Sequence, residues 1–108
     1  YENLLKARPH FIECMKVLAE LYTKTGRYHK GLSLDKRLAE LAPVDATVFY
    51  NLACSYSLTC DIGQSLESLK KTIELGFTDF QYLKSDPDLA NARKDKRFYA
   101  LIPYEPAT

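Results

Sequence analysis

The sequence predicts an all-α protein made of stacked antiparallel helix hairpins, with a degenerate helical cap toward the C-terminal end. The main observation is a repeat with a 34-residue period. The recurring residues are Leu18, Ala19, Tyr22, Thr25, Leu32, Lys36, Glu40 and Leu41, which return as Leu52, Ala53, Tyr56, Thr59, Leu66, Lys70, Glu74 and Leu75. A fixed period of this size indicates a supersecondary unit that buries its apolar face only by stacking on a copy of itself.

The first copy of the repeat predicts two helices. Apolar residues recur at helical spacing within residues 10–25, and Gly26 follows where a helix end favours positive φ. A second helical pattern covers residues 28–41, and Pro43 closes it. The first copy is therefore predicted to be one helix hairpin.

The second copy predicts another hairpin with clearer helix starts. Asp45 is expected to cap the third helix, and Asp61 the fourth. Gln64 stands three positions after Asp61, as in a capping box, and Gly76 ends the fourth helix.

The 34-residue period fades after Gly76, where only short helical pieces are predicted. Residues 80–83 form the first piece, and Asp86 followed by Pro87 begins the second. Asp95 precedes the last piece, which ends at Pro103. An irregular end is expected of a stacked repeat, because its outer face meets water.

The repeated positions resemble the tetratricopeptide repeat, with residues 12–45 and 46–79 as its two units. The matching residues are Ala19 and Ala53 for the small residue at the family's eighth position, Tyr22 and Tyr56 for its tyrosine at position eleven, and Pro43 for its closing proline. The resemblance implies a right-handed α-solenoid whose concave groove accepts a peptide. From residue 50 onward the chain also resembles the C-terminal end of bacterial tetratricopeptide-repeat groups.

Several positions depart from the family pattern. The alanines usual at its positions 20 and 27 are replaced by Gly31 and Leu38 in the first unit, and by Ser65 and Thr72 in the second. Its aromatic residue at position 24 is replaced by Asp35 and Leu69. The hairpins should still form, with looser packing between the repeats.

The register divides the single domain, residues 1–108, into sections. Residues 1–9 correspond to the end of a preceding repeat, and 80–102 to degenerate capping helices, before a tail at 103–108. We therefore expect the chain to be the C-terminal part of a longer array. Apolar surface on residues 1–8, left unpaired in such a fragment, would favour weak self-association.

Composition argues against several classes of partner. The chain carries 15 lysine and arginine against 14 aspartate and glutamate residues, so it lacks the basic surplus used to bind nucleic acid. The basic run at residues 93–97 is interrupted by Asp95 and is interpreted as a solvated helix surface. No stretch approaches the roughly 18 apolar residues of a membrane span. We expect neither a nucleic-acid nor a membrane partner.

The cysteines predict a reducing compartment. Cys14, Cys54 and Cys60 form neither a CxxC pair nor a cysteine–histidine cluster, so no metal site is expected. Three reduced cysteines are typical of a cytoplasmic protein. The chain does not begin with Met, so targeting segments can lie outside it.

The resemblance implies a partner-binding groove lined by the first helix of each pair. Its exposed positions would be Glu13, Lys16, Glu20, Thr23 and Lys24 in the first unit, and Thr47, Tyr50, Asn51, Cys54 and Ser57 in the second. Tyr50 would act as a flat amphipathic anchor, and Asn51 as a hydrogen-bonding fork. The alternative is that these are ordinary surface residues of a stabilising module.

Some family members clamp the C-terminal carboxylates of chaperones. Lys16 and Asn51 match two of the clamp positions, but Glu20 replaces an asparagine there and would repel a carboxylate. Chaperone-tail binding is therefore not expected.

Catalysis is not predicted. His10 and His29 have no cysteine or serine at a recognisable spacing, and no phosphate-binding glycine loop is present. Cys54 would be reactive if nearby lysines lowered its pKa, but such a cysteine more often fills apolar space. We expect no enzyme activity and no cofactor.

The sequence thus predicts a non-catalytic protein–protein interaction module whose groove binds a peptide or helix of a partner. One alternative is a structural C-terminal cap of a longer array that binds its partners upstream. Another is an accessory domain of a larger enzyme.

Overall fold

The computed structural model of the protein describes residues 9–103, and every regular element in this range is helical. Four long helices come first: α1 (Pro9–Lys24), α2 (Tyr28–Leu41), α3 (Ala46–Leu58) and α4 (Ile62–Glu74). Four short ones follow: α5 (Phe80–Ser85), a 3₁₀ helix (Pro87–Leu89), α6 (Ala90–Arg93) and α7 (Arg97–Leu101). The predicted all-α class is therefore confirmed. The predictions for residues 1–8, including self-association, and for the tail after Pro103 lie outside the described residues.

The long helices pack in chain order, α1 against α2, α2 against α3, and α3 against α4. The 3₁₀ helix and α6 pack on α3, while α6 and α7 also pack on α4. The C-terminal helices therefore cover the end of the molecule formed by the second hairpin.

The 34-residue period is visible in the backbone. Helix α3 ends one period after α1 does, and α4 begins one period after α2 does. The turn within each hairpin has a residue with positive φ at the equivalent position, Gly26 (φ 81°) and Cys60 (φ 66°). Glycine adopts this conformation without cost, whereas a residue with a Cβ is strained in it. The second turn keeps the geometry of the first although its residue is unfavourable.

Aspartates begin the second hairpin's helices, as predicted. The Asp45 carboxylate accepts hydrogen bonds from the backbone N–H groups of Thr47 (3.0 Å) and Val48 (3.4 Å). Asp61 accepts one from the backbone N–H of Gln64, at 3.3 Å. These bonds satisfy donors that the first turn of a helix leaves without a partner.

The apolar core is divided unequally between the two ends of the molecule. The larger cluster joins α3, α4 and the C-terminal helices through Tyr50, Ala53, Cys54, Leu66, Leu69, Leu83, Leu89, Ala92 and Phe98. The smaller cluster, between the first hairpin and the start of α3, contains Ala19, Leu38 and Val48. The second hairpin is thus the better buried of the two.

The residues that replace the family's alanines are all buried. A Cβ added to Gly31 would lie 3.0 Å from the Thr23 hydroxyl oxygen, so the absence of a side chain lets α1 and α2 approach closely. Ser65 donates a hydrogen bond to the carbonyl of Ala53 at 2.7 Å. Both contacts lie within a hairpin, so the looser packing expected between the repeats stays a prediction.

The basic run near the C-terminal end requires one correction. Lys94, Lys96 and Arg97 are exposed as predicted, but Arg93 is half-buried. Its guanidinium donates to the carbonyls of Leu83 (3.1 Å) and Asp86 (2.6 Å). Arg93 is drawn inward because these carbonyls lie around the end of the short helix α5, where intrahelical partners run out.

Candidate functional site

A cavity of about 190 Å³ lies between α1 and α3, and α5 with the segment after it forms its far wall. We call it the α1–α3 cavity. Six of the predicted groove residues line it, namely Glu20, Thr23, Lys24, Tyr50, Asn51 and Cys54. Five further residues line it that were not predicted, namely Ala19, Asp35, Tyr82, Asp86 and Asp88.

The other predicted groove residues lie outside this cavity. Lys16 Nζ is 2.6 Å from Asp45 Oδ2 and 3.2 Å from Glu13 Oε1. The hydrogen bond from Lys16 to Asp45 raises the pKa of Lys16. Thr47 is exposed at the start of α3. Lys16 therefore joins the start of α3 to α1.

Ser57 was predicted to be exposed, and this is wrong. Its side chain is 0% exposed, and its hydroxyl oxygen accepts a hydrogen bond from the backbone N–H of Ala92 at 3.1 Å. The helix α6 packs over this position on α3, and a repeat pattern carries no information about that contact.

Tyr50 was predicted to be an exposed anchor, and this is also wrong. Its side chain is 6% exposed, with its ring centroid 5.1 Å from that of Phe77 and 5.8 Å from that of Tyr82. Its hydroxyl donates to the Asp86 carboxylate. Burial and then Asp86 raise the pKa of Tyr50. Tyr82, which is 52% exposed, is instead the accessible aromatic ring of the cavity.

Asp35 is the most unusual residue of the cavity. It is a buried aspartate on α2, only 2% exposed, at the position where the second hairpin has Leu69. Its Oδ2 accepts the Ser55 hydroxyl at 2.5 Å. Burial raises the pKa of Asp35 to about 6, although the bond from Ser55 opposes this shift. Asp35 was not predicted as a site residue; a charged residue at a core position of the helical pattern was the sequence signal that could have identified it.

Asp86 was interpreted as a helix-start residue, and this is confirmed, with Asp88 in the first turn that follows. Its carboxylate accepts the backbone N–H of Asp88 at 2.9 Å. The same carboxylate is buried, accepts the Tyr50 hydroxyl and faces the cavity. Burial and the neighbouring Asp86 raise the pKa of Asp88. Only the tertiary structure brings these residues to α1.

Cys54 was also predicted to be exposed, and this is wrong, because its side chain is only 5% exposed. Its thiol donates weakly to the Asp86 carboxylate, and within the described residues no lysine forms a hydrogen bond with it. Burial and the Asp86 carboxylate raise its pKa well above the usual value for a thiol. The reactive-thiol alternative is therefore wrong, because the thiolate is disfavoured here. Cys54 packs within the larger core cluster.

Two features are absent from residues 9–103. No group of three or more histidine, cysteine, aspartate or glutamate side chains in this range is arranged to hold a metal ion. No helix of the described range has the length and apolar character to cross a bilayer.

Comparison with known proteins gives one significant similarity. No protein-family model matches the chain, and no solved structure matches it significantly. The chain is 32% identical over 106 residues to a curated chloroplastic protein of Arabidopsis thaliana. The alignment covers 94% of this chain and 32% of the relative. The chain thus spans about a third of the length of the curated relative it matches.

Proposed function

We propose that this chain is a tetratricopeptide-like, non-catalytic interaction module that binds a peptide or helix of a partner protein between α1 and α3. The observation that carries the proposal is the α1–α3 cavity, which six of the predicted groove residues line. A concave surface with a few converging polar groups is the usual form of a recognition site.

The geometry of the cavity supports this role. Asn51 is only partly buried and its side chain makes no hydrogen bond within the described residues, whereas the half-buried Thr23 donates its hydroxyl to the carbonyl of Ala19 at 3.2 Å. The exposed ring of Tyr82 supplies apolar surface beside them. The 34-residue period of the backbone supports the tetratricopeptide-like stacking that would extend this surface into a groove.

Site-specific photo-crosslinking tests the proposal. A photoreactive amino acid at position 51 should crosslink to the partner in an extract of the source organism. The same group at Glu67, an exposed residue of α4 that does not line the cavity, is the matched control. Crosslinking at neither position, or equally at both, would contradict binding in the cavity.

A second function, that of a structural end cap, is favoured by the difference between the two ends of the molecule. The C-terminal helices cover α4, whereas α1 exposes apolar side chains. Leu18 is 41% exposed, while Leu52, its equivalent one period later, is 7% exposed. If the chain is an end cap, a protein extended at the N-terminus should bind a partner that residues 1–108 alone do not bind.

We propose a thiol-reducing compartment for this protein. The chain has three cysteines that are free of disulfides with one another. A cytoplasmic location agrees with this property, and so does the chloroplast named for the Arabidopsis relative. Imaging of the full-length protein with a C-terminal fluorescent tag distinguishes the two.

A further inference from the structure

The α1–α3 cavity brings together carboxylates that form no ion pair with a cation of residues 9–103. We propose that it binds one arginine side chain of the partner segment, with the guanidinium between Asp35, Asp86 and Asp88 and against the ring of Tyr82. This inference rests on the proposed function. It adds the chemical class of the side chain that the groove recognises.

Asp35 supplies the first argument. Its side chain is 2% exposed and lines the cavity, and Ser55 donates to only one of its oxygens, Oδ2. No described residue donates a hydrogen bond to the other oxygen, Oδ1, and no fully buried side-chain oxygen or nitrogen within 9–103 lacks a partner, so Oδ1 is open to the cavity. A buried carboxylate destabilises a fold unless its acceptors are satisfied. Leu69 fills the equivalent position in the second hairpin without this cost, so Asp35 leaves an acceptor that a ligand can use.

The charges around the cavity supply the second argument. Among the described residues, no lysine or arginine forms an ion pair with Asp35, Asp86 or Asp88. Arg93 contacts Asp86 only through its backbone carbonyl. Lys24 lines the cavity but is held by Glu20 at 3.3 Å, and its side chain is 71% exposed. The described part of the chain therefore gives the cavity a negative interior that its own cations do not neutralise.

The shape of the site favours arginine over a metal ion. Metal binding needs several oxygens about 2–2.6 Å from one point, and the described residues contain no such group. A guanidinium is planar, reaches separated carboxylates with its five N–H donors, and stacks on aromatic rings. Tyr82 is 52% exposed and packs on Tyr50, so its ring is held at the cavity.

The protonation behaviour of the cavity agrees with this occupant. Burial raises the pKa of Asp35, and burial together with Asp86 raises the pKa of Asp88. Both carboxylates are therefore ionised at a cost in the empty protein. A bound cation would stabilise the ionised forms and bring these pKa values back toward their ordinary range.

The test uses the whole chain and two synthetic heptapeptides of glycine and serine. One has a central arginine and the other a central citrulline, which has nearly the same shape but no charge. Binding is followed by the backbone amide shifts of the protein. We expect the arginine peptide to perturb cavity residues and to bind at least about ten-fold more tightly than the citrulline peptide. Equal binding of the two peptides would overturn the inference.

Charge-removing variants locate the binding to these carboxylates. Asp35→Asn keeps the side-chain size and an oxygen that can accept from Ser55, and we expect it to weaken arginine-peptide binding about ten-fold. Glu67→Gln removes the same charge from an exposed site on α4 and should leave binding unchanged. If Asp35→Asn does not fold, Asp88→Asn at the half-buried cavity wall replaces it. Unchanged binding in the folded variant would overturn the assignment.

A further readout separates binding from a purely structural role of Asp35. The arginine peptide should lower the pKa of Asp35 measured from its carboxyl carbon shift, and the citrulline peptide should not. A leucine-centred or glutamate-centred peptide that binds in the cavity when the arginine peptide does not would overturn the arginine preference and leave the proposed function standing. The proposed function itself fails if position 51 does not crosslink, or crosslinks no more than the control at Glu67.

Discussion

The two helix hairpins share a backbone but differ in what fills their equivalent positions. Their helices keep the 34-residue register, and both turns contain a residue with positive φ. Yet a buried aspartate in the first hairpin, Asp35, stands where the second has Leu69. The second hairpin completes an apolar core under the C-terminal helices, whereas the first contributes a carboxylate to a cavity. The repeat thus defines the backbone, and the neighbours of each copy define its chemistry.

Placing an aspartate at the second hairpin's equivalent of Asp35, which is Leu69, tests this contrast and has the largest expected effect. Leu69→Asp should destabilise the protein by about 4 kcal/mol, because it buries a carboxylate and removes apolar packing. The residue one period after Ser55 is Leu89, which also belongs to the apolar cluster, so the aspartate would find no equivalent hydroxyl. Urea unfolding monitored by circular dichroism measures the change. A loss below that of Leu69→Ala would show that the second hairpin tolerates the charge.

The pH dependence of the unfolding free energy tests the buried aspartate of the first hairpin. The folded state raises the pKa of Asp35 from 3.8 to about 6, so the folded protein binds the proton more tightly than the unfolded chain does. Stability from this group is therefore present below about pH 4 and is lost as the pH rises through about 6, by about 3 kcal/mol in all. Asp35→Asn should remove this decline. The difference between the two urea-unfolding profiles from about pH 4 to 7 isolates it, and parallel profiles would contradict it.

The buried hydroxyl of Ser57 tests the contact between the second hairpin and the C-terminal helices. Ser57→Ala leaves the backbone N–H of Ala92 without its acceptor and should cost about 1.5 kcal/mol. Thr23→Ser, at the equivalent half-buried position on α1, keeps its hydroxyl and serves as the control, with a cost below about 0.5 kcal/mol. Equal effects would mean that the two positions are energetically alike.

The turns of the two hairpins give the smallest expected effect, in opposite directions. Gly26→Ala places a Cβ at φ 81° and should destabilise by about 1 kcal/mol. Cys60→Gly relieves the same strain at φ 66° and should stabilise by about 0.5 kcal/mol, after the added flexibility of the unfolded chain. Thermal unfolding of both variants measures the pair. A stabilising Gly26→Ala would contradict the strain argument.

Local features were predictable from the sequence, and contacts between distant elements were not. The Asp45 and Asp61 caps and the turn at Gly26 depend on neighbours within a few residues, so their patterns were sufficient. The hydrogen bond from Tyr50 to Asp86 joins residues 36 positions apart. The repeat pattern had no information about this contact, because Asp86 lies after the period has faded.

By itself the sequence determined the helical class and the register of the two hairpins. The helical spacing of apolar residues and the helix caps depend on neighbours within a few positions, so each copy of the repeat shows them independently. Only the tertiary structure decided that Tyr50 and Ser57 are covered and that Asp35, Asp86 and Asp88 meet in one cavity. The physical reason is that burial and charge depend on which elements pack together. Here α5, the 3₁₀ helix and α6, which do not repeat, return to α3 and create both the cover and the negative wall.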